Sequence, residues 1–102
     1  MKAQTKKTSE TLQTIGRGIS VSRRARNWKQ EDLAEMAGIG MNTMVAIEKG
    51  AATVQIGSYM AVLDSLGLLH TMSDVADPGL DKVAVSAMVE SLPIRACSNR
   101  RR

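Results

Sequence analysis

The chain contains no phenylalanine, one tryptophan and one tyrosine among its 102 residues. Its core must therefore be built from Leu, Ile, Val, Met and Ala, a composition that leans towards helix. A single cysteine, Cys97, excludes an internal disulfide framework and a multi-cysteine metal site. The lone histidine, His70, reads as a solvated side chain rather than a ligand, and no metal or cofactor is expected. Ser20, Ser22 and Ser58 lack a His/Asp partner pattern, so no nucleophile can be argued and an enzyme reading has no residue behind it. Gly16-x-Gly18 is not a dinucleotide loop, because no strand pattern precedes it and Val21 stands where the third glycine belongs. No run approaches the ~20 apolar residues that cross a bilayer. The first residues, MKAQTKKTSET, are basic with no apolar run behind them, so they are not a signal peptide. Both absences lead us to expect a cytoplasmic protein.

What is present is charge, unevenly placed. The net charge is +4 and the pI about 9.6. Residues 1–11 carry +2 and residues 12–50 another +2, from six basic and four acidic side chains. Residues 51–94 set Lys82 against Asp64, Asp74, Asp77, Asp81 and Glu90, giving −4, and residues 95–102 add four arginines. Such asymmetry fits one face on nucleic acid and another turned away from it. Ordinary surface charge with basic tails fits it equally well. The length suggests one domain with a modest core, so oligomerisation is a plausible source of stability.

Residues 1–11 are polar and aperiodic and read as a flexible basic arm. From Leu12 a helical stripe of Leu12, Ile15 and Ile19 continues to Arg23, and this helix runs to Asn27. Gly16 and Gly18 weaken it by about 1 kcal/mol each or allow close packing. Trp28 and Leu33 stand at the spacing of a hydrophobic staple around Lys29, a poor cap. A second helix runs from about Gln30 to Ala37 and ends at Gly38, which suits a left-handed terminus. A third runs from about Met41 to Lys49, with Gly40 before it and Gly50 after. A fourth covers Ile56 to Leu66, with Ile56, Tyr59, Met60, Leu63 and Leu66 on one face. Met36, Met44, Met60 and Met88 read as core filler. Pro78-Gly79 is a break. Leu80 to Leu92 is a fifth helix apolar on two faces, with a short strand as the competing reading at Val83-Ala84-Val85. In a chain this small, the second face suggests a partner subunit, offering Leu80, Val83, Val85, Met88, Val89 and Leu92. From Pro93 the chain reads as a basic, disordered tail.

Two helices of about eight residues joined by a three-residue turn make a helix-turn-helix. Counting from Gln30, Leu33, Ala37, Ile39, Met44 and Ile47 fall at buried positions, Ala34 is small where the helices cross, and Gly38 permits the turn. QEDLAEMAGI followed by NTMVAIEKG resembles the Xre-type (Cro-like) helix-turn-helix family over about residues 14–67. It departs from that family at Lys29 and Gly40, where Ser or Thr caps are usual. The resemblance implies an all-α fold, a compact bundle of about five helices like the lambda-repressor DNA-binding domain. It places that domain at residues 12–70, a dimerisation or partner segment at 71–92, and a tail at 93–102. By position it implies that Met41, Asn42 and Ala46 face bases, while Gln30, Thr43 and Lys49 hold phosphates. Asn can bond adenine in a bidentate manner, and Met or Ala can touch a thymine methyl. Arg24 and Lys29 add backbone charge without sequence information. Arg23 and Glu48 both lie on inward stripes, and unpaired buried charge is costly. They are expected to pair, bracing the first helix against the third.

The segments IGRGISVSRRARNWKQEDLAEMAGI, GSYMAVLDSLGLL, ADPGLD and SLPIR look like the HipB-like group. That resemblance implies a homodimer on a palindromic operator of double-stranded DNA, with a HipA-like serine/threonine kinase toxin as partner. A stand-alone regulator from a phage or mobile element, and a protein-interaction module without DNA binding, are the other readings.

Overall fold

The computed structural model describes the backbone of residues 5–100 and the side chains of residues 5–91. The described chain is all helical, with no strand: α1 (Lys6–Ala25), α2 (Gln30–Ala37), α3 (Met41–Glu48), α4 (Ile56–Leu66), 3₁₀ turns at Leu69–Met72 and Pro78–Leu80, and α5 (Lys82–Arg100). Residues to His70 form one compact unit and those from Thr71 a second.

In the first unit, α2 packs on α3 and α4, and α1 packs on α3 and α4. Ile19, Leu33, Ala34, Met44, Ile47, Tyr59, Val62, Leu63 and Leu66 form the core. The start of α1 corrects the expected arm, because residues 6–11 are helix. Thr5 supplies the cap, its Oγ1 accepting the Thr8 N–H at 3.1 Å. Once the Leu12 to Arg23 segment is held by packing, each turn added towards the N-terminus escapes the nucleation cost. An all-polar turn can therefore be helical without any apolar period. Residues 1–4 of the arm lie outside the described residues.

Two inward faces also differ from expectation. Ile15 is 38% exposed, and Gly16 takes the place against α3 instead. A Cβ on Gly16 would stand 2.5 Å from the Ile47 carbonyl oxygen and 2.8 Å from the Glu48 carbonyl oxygen and the Gly50 nitrogen. Gly50 returns the approach, since a Cβ there would meet the Leu12 carbonyl oxygen at 2.6 Å. The α1–α3 crossing is thus backbone on backbone, which rotates Ile15 off the interface. In α4 the buried set is Tyr59, Val62, Leu63 and Leu66, while Ile56 is 60% exposed and Met60 also lies at the surface. Of the four methionines expected as filler, only Met44 is buried, and Met36, Met60 and Met88 are exposed.

In the second unit, Asp77 accepts the Gly79 N–H at 3.0 Å to close the Pro78–Leu80 turn. Asp81 accepts the Val83 N–H at 3.1 Å and starts α5. The strand alternative at Val83–Val85 is therefore replaced by helix, and Leu80 belongs to the turn before it. The helix also passes Pro93 and continues to Arg100, through the segment expected as a disordered tail. Proline removes one intrahelical hydrogen bond and crowds the preceding turn, a cost rather than a prohibition. The side chains from Leu92 onward lie outside the described residues, as do residues 101–102 altogether. None of the described side chains from Thr71 to Ser91 is buried.

Candidate nucleic-acid interface

The turn between α2 and α3 is set by local chemistry. Lys29 stands at the cap of α2 without a side-chain acceptor, and Asp32 compensates by accepting the Lys29 N–H at 2.8 Å. Glu31 and Asp32 in the first turn also suit the positive end of the helix dipole. Gly38 adopts φ 74°, and the Ile39 N–H reaches the Ala34 carbonyl at 3.0 Å, closing the C-terminus in the six-to-one pattern. Gly40 leads α3 with no side-chain cap, its carbonyl accepting the Met44 N–H at 3.0 Å.

With Met44 and Ile47 buried, α3 turns Asn42, Ala46 and Lys49 outward at i, i+4 and i+7. Met41 and Asn42 are exposed at the amino-terminal end, and Thr43 and Ala46 are half-buried. Asn42, Thr43 and Ala46 line an open surface groove of about 370 Å³ together with Thr53, Gln55 and Ser58. None of those last three was expected at the interface, and Ser58 was considered only as a nucleophile. They lie in and after a loop with no period to betray them. The groove's far wall is held by Tyr59, whose hydroxyl donates to the Ala51 carbonyl at 2.7 Å. Burial pushes that hydroxyl's pKa above its ordinary value.

Behind α3 lies a polar cluster. Arg23 Nε donates to Glu48 Oε2 at 2.6 Å, and a second guanidinium nitrogen reaches Oε1 at 3.1 Å. The remaining Arg23 nitrogen donates to the Trp28 carbonyl at 2.8 Å. The guanidinium thereby ties α1 both to α3 and to the approach of α2. Both side chains are largely shielded, 12% and 8% exposed. Burial alone would raise the Glu48 pKa. Hydrogen bonds from Arg23, Gln30 and Ser20, with the Arg23 charge, outweigh it and hold the carboxyl below the ordinary value. Gln30, expected at a phosphate, is turned towards this cluster, its amide nitrogen 3.0 Å from Glu48 Oε1. Arg24 is braced on Ser20, its Nε and a terminal nitrogen 3.2 and 2.8 Å from the hydroxyl oxygen. Lys29 is exposed.

No family model and no solved structure matches the chain. A helix-turn-helix type transcriptional regulator of Sinorhizobium fredii, y4mF, itself uncharacterized, is 36% identical over 70 residues. The match covers 69% of this chain and 88% of that protein. This chain belongs to the helix-turn-helix type transcriptional regulators.

The regulator's second unit carries the apolar residues expected at a dimer or partner surface. Leu80, Val83, Met88 and Val89 are exposed and Val85 is half-buried. Val85, Met88 and Val89 stand at i, i+3 and i+4, on one face of α5. Leu80 and Val85 share an open groove with Gly79, Lys82 and Ser86, while Val83 lies outside its lining. The Leu92 side chain is outside the described residues. Among the described residues, no helix is long and apolar enough to cross a membrane, and no group of His, Cys, Asp and Glu could hold a metal ion.

Proposed function

We propose that this regulator is a sequence-specific DNA-binding repressor. α3 enters the major groove with Met41, Asn42 and Ala46 at base edges, and Thr43, Lys49, Lys29 and Arg24 serve the phosphates. The observation that carries the reading is the outward stripe Asn42–Ala46–Lys49 on a helix whose opposite face is anchored by Met44, Ile47 and the Glu48 ion pair. A reading helix must be held rigidly to discriminate bases, and this one is anchored from behind at its middle and carboxyl end. Gln30 has one amide N–H directed at Glu48. Its second N–H is the one available to a phosphate oxygen.

The regulator acts as a homodimer on a palindromic operator, its two α3 helices about 34 Å apart, one turn of DNA. The second unit supports this reading. None of its described residues is fully buried, and a stretch of that size does not sustain a core alone. The resemblance to HipB-like proteins extends the proposal to an antitoxin that represses its own operon and holds a HipA-like kinase toxin. A kinase-like gene beside this one separates the antitoxin from a stand-alone regulator.

The test is a gel shift on the DNA upstream of its own gene against scrambled DNA, at physiological salt. Specific binding is expected to be ~10³-fold or more tighter. Asn42→Ala should lower affinity for the upstream DNA while leaving scrambled DNA unchanged. Equal binding to both sequences by the wild-type protein removes the repressor reading and leaves the helix-turn-helix as a protein-interaction scaffold.

A further inference from the structure

The two sides of α3 are chemically unlike. At 100° per residue, Thr43 and Glu48 project to opposite sides of the Asn42–Ala46–Lys49 stripe. On the Thr43 side lies the groove walled by Thr53, Gln55 and Ser58, which has no charged residue in its lining. On the Glu48 side lies a second open cleft, of about 360 Å³, between α3 and α1. Gln13, Arg17, Ser20 and Arg24 line it from successive turns of α1, with Glu48 and Lys49 from the end of α3.

Three cations thus meet one carboxylate, and that carboxylate is already engaged by Arg23 and Gln30. Arg24 is held in place through Ser20, whereas the Arg17 side chain forms no hydrogen bond or ion pair among the described residues. The cleft therefore presents positive charge without a free counter-charge. A helix lying in the major groove, about 12 Å wide, has a phosphate strand on each side. One strand faces the neutral groove and the other faces the cationic cleft.

Building on the DNA-binding reading, we infer that the α1–α3 cleft receives one phosphate strand of the operator through Arg17, Arg24 and Lys49, so that the salt dependence of binding arises on that side of α3. α1 then becomes a DNA-contacting element outside the helix-turn-helix. The Thr53–Ser58 side contributes hydrogen bonds with little dependence on salt. The competing role for these cations is to complement the negative carboxyl end of α3. That role would change stability and leave the salt slope alone.

Affinity is measured against salt concentration for full-length wild type and for Arg17→Ala, Arg17→Lys, Arg24→Ala, Thr53→Ala and Ser58→Ala, on upstream and scrambled DNA. Each phosphate neutralised contributes about 0.9 to the slope of log affinity against log salt. Arg17→Ala and Arg24→Ala should each reduce that slope by about one and weaken both DNAs in the same ratio. Arg17→Lys should restore it. Thr53→Ala and Ser58→Ala should lower affinity at unchanged slope. Unchanged slopes in both arginine variants, or a slope lost on the Thr53–Ser58 side instead, overturn the assignment. A wild-type protein that binds the upstream DNA specifically while its arginine variants match it defeats this inference alone. A wild-type protein that binds no DNA defeats both this inference and the reading beneath it.

Discussion

Gly16 and Gly18 lie two residues apart in the same helix, and alanine should act on them with opposite signs. Glycine inside a helix costs about 1 kcal/mol relative to alanine, because it loses more backbone freedom on folding. At Gly18 an added Cβ meets nothing within 4 Å, so Gly18→Ala should recover most of that, about 0.5–1 kcal/mol. At Gly16 the same Cβ would stand 2.5 Å from the Ile47 carbonyl oxygen, where ordinary contact begins near 3.4 Å. α1 must then separate from the end of α3 by nearly 1 Å. It cannot slide aside, because Gly50 is pressed against the Leu12 and Gln13 backbone on the same crossing. Forced overpacking costs about 1–3 kcal/mol, and a gap of that width also forfeits a quarter to a half of the dispersion between the facing atoms. Set against the propensity gain, Gly16→Ala should lose about 1–2 kcal/mol. For a unit of this size each kcal/mol moves Tm by about 4–8 °C. Thermal melts followed by far-UV circular dichroism should therefore raise Tm for Gly18→Ala by a few degrees and lower it for Gly16→Ala by about 5–15 °C. A Gly16→Ala protein as stable as wild type would refute the close crossing of α1 and α3.

Glu48→Ala strands a shielded Arg23 and should cost about 2–4 kcal/mol, whereas Glu31→Ala at an exposed first turn should cost under about 1 kcal/mol. Equal melting temperatures would sink the bracing role of the pair. The same variant carries a pH signature. Because the folded Glu48 pKa lies below its ordinary value, its contribution is fully present above about pH 4.3 and is lost as pH falls through the lowered value. The stability gap between wild type and Glu48→Ala, read by urea titration, should be full at neutral pH and shrink below about pH 4. Tyr59→Phe leaves the Ala51 carbonyl without its partner and should cost about 1 kcal/mol. It should also loosen hydrogen exchange in the 51–55 loop, and unchanged exchange there would contradict the tether.

The helix-turn-helix was the most legible part of the chain. Gln30–Ala37 and Met41–Glu48 have boundaries that local rules dictate: an apolar residue every three or four positions, then glycine where the chain must turn left-handed. The pairing of Arg23 with Glu48 followed from two charges lying on inward stripes. Less legible was the face of α1. A hydrophobicity pattern favours Ile15 as the inward residue, but glycine has no side chain to register in such a pattern, and it is Gly16 that touches α3. The Pro93 rule misled in the same way, since a local penalty does not decide whether a helix stops.

The order of the helices and the turn between α2 and α3 are settled within a few residues of each position, so the amino-acid sequence by itself determined them, whereas how far α1 and α5 extend it did not. The partners were decided only by the fold. Gln30 meets Glu48 eighteen residues away. Arg17 faces the same cleft as Lys49, and Asn42 lines a groove with Ser58. Backbone packing at Gly16 and Gly50 brings α1 and α3 close enough for Arg17 and Lys49 to share their cleft, and no periodicity along the chain encodes how closely two helices approach.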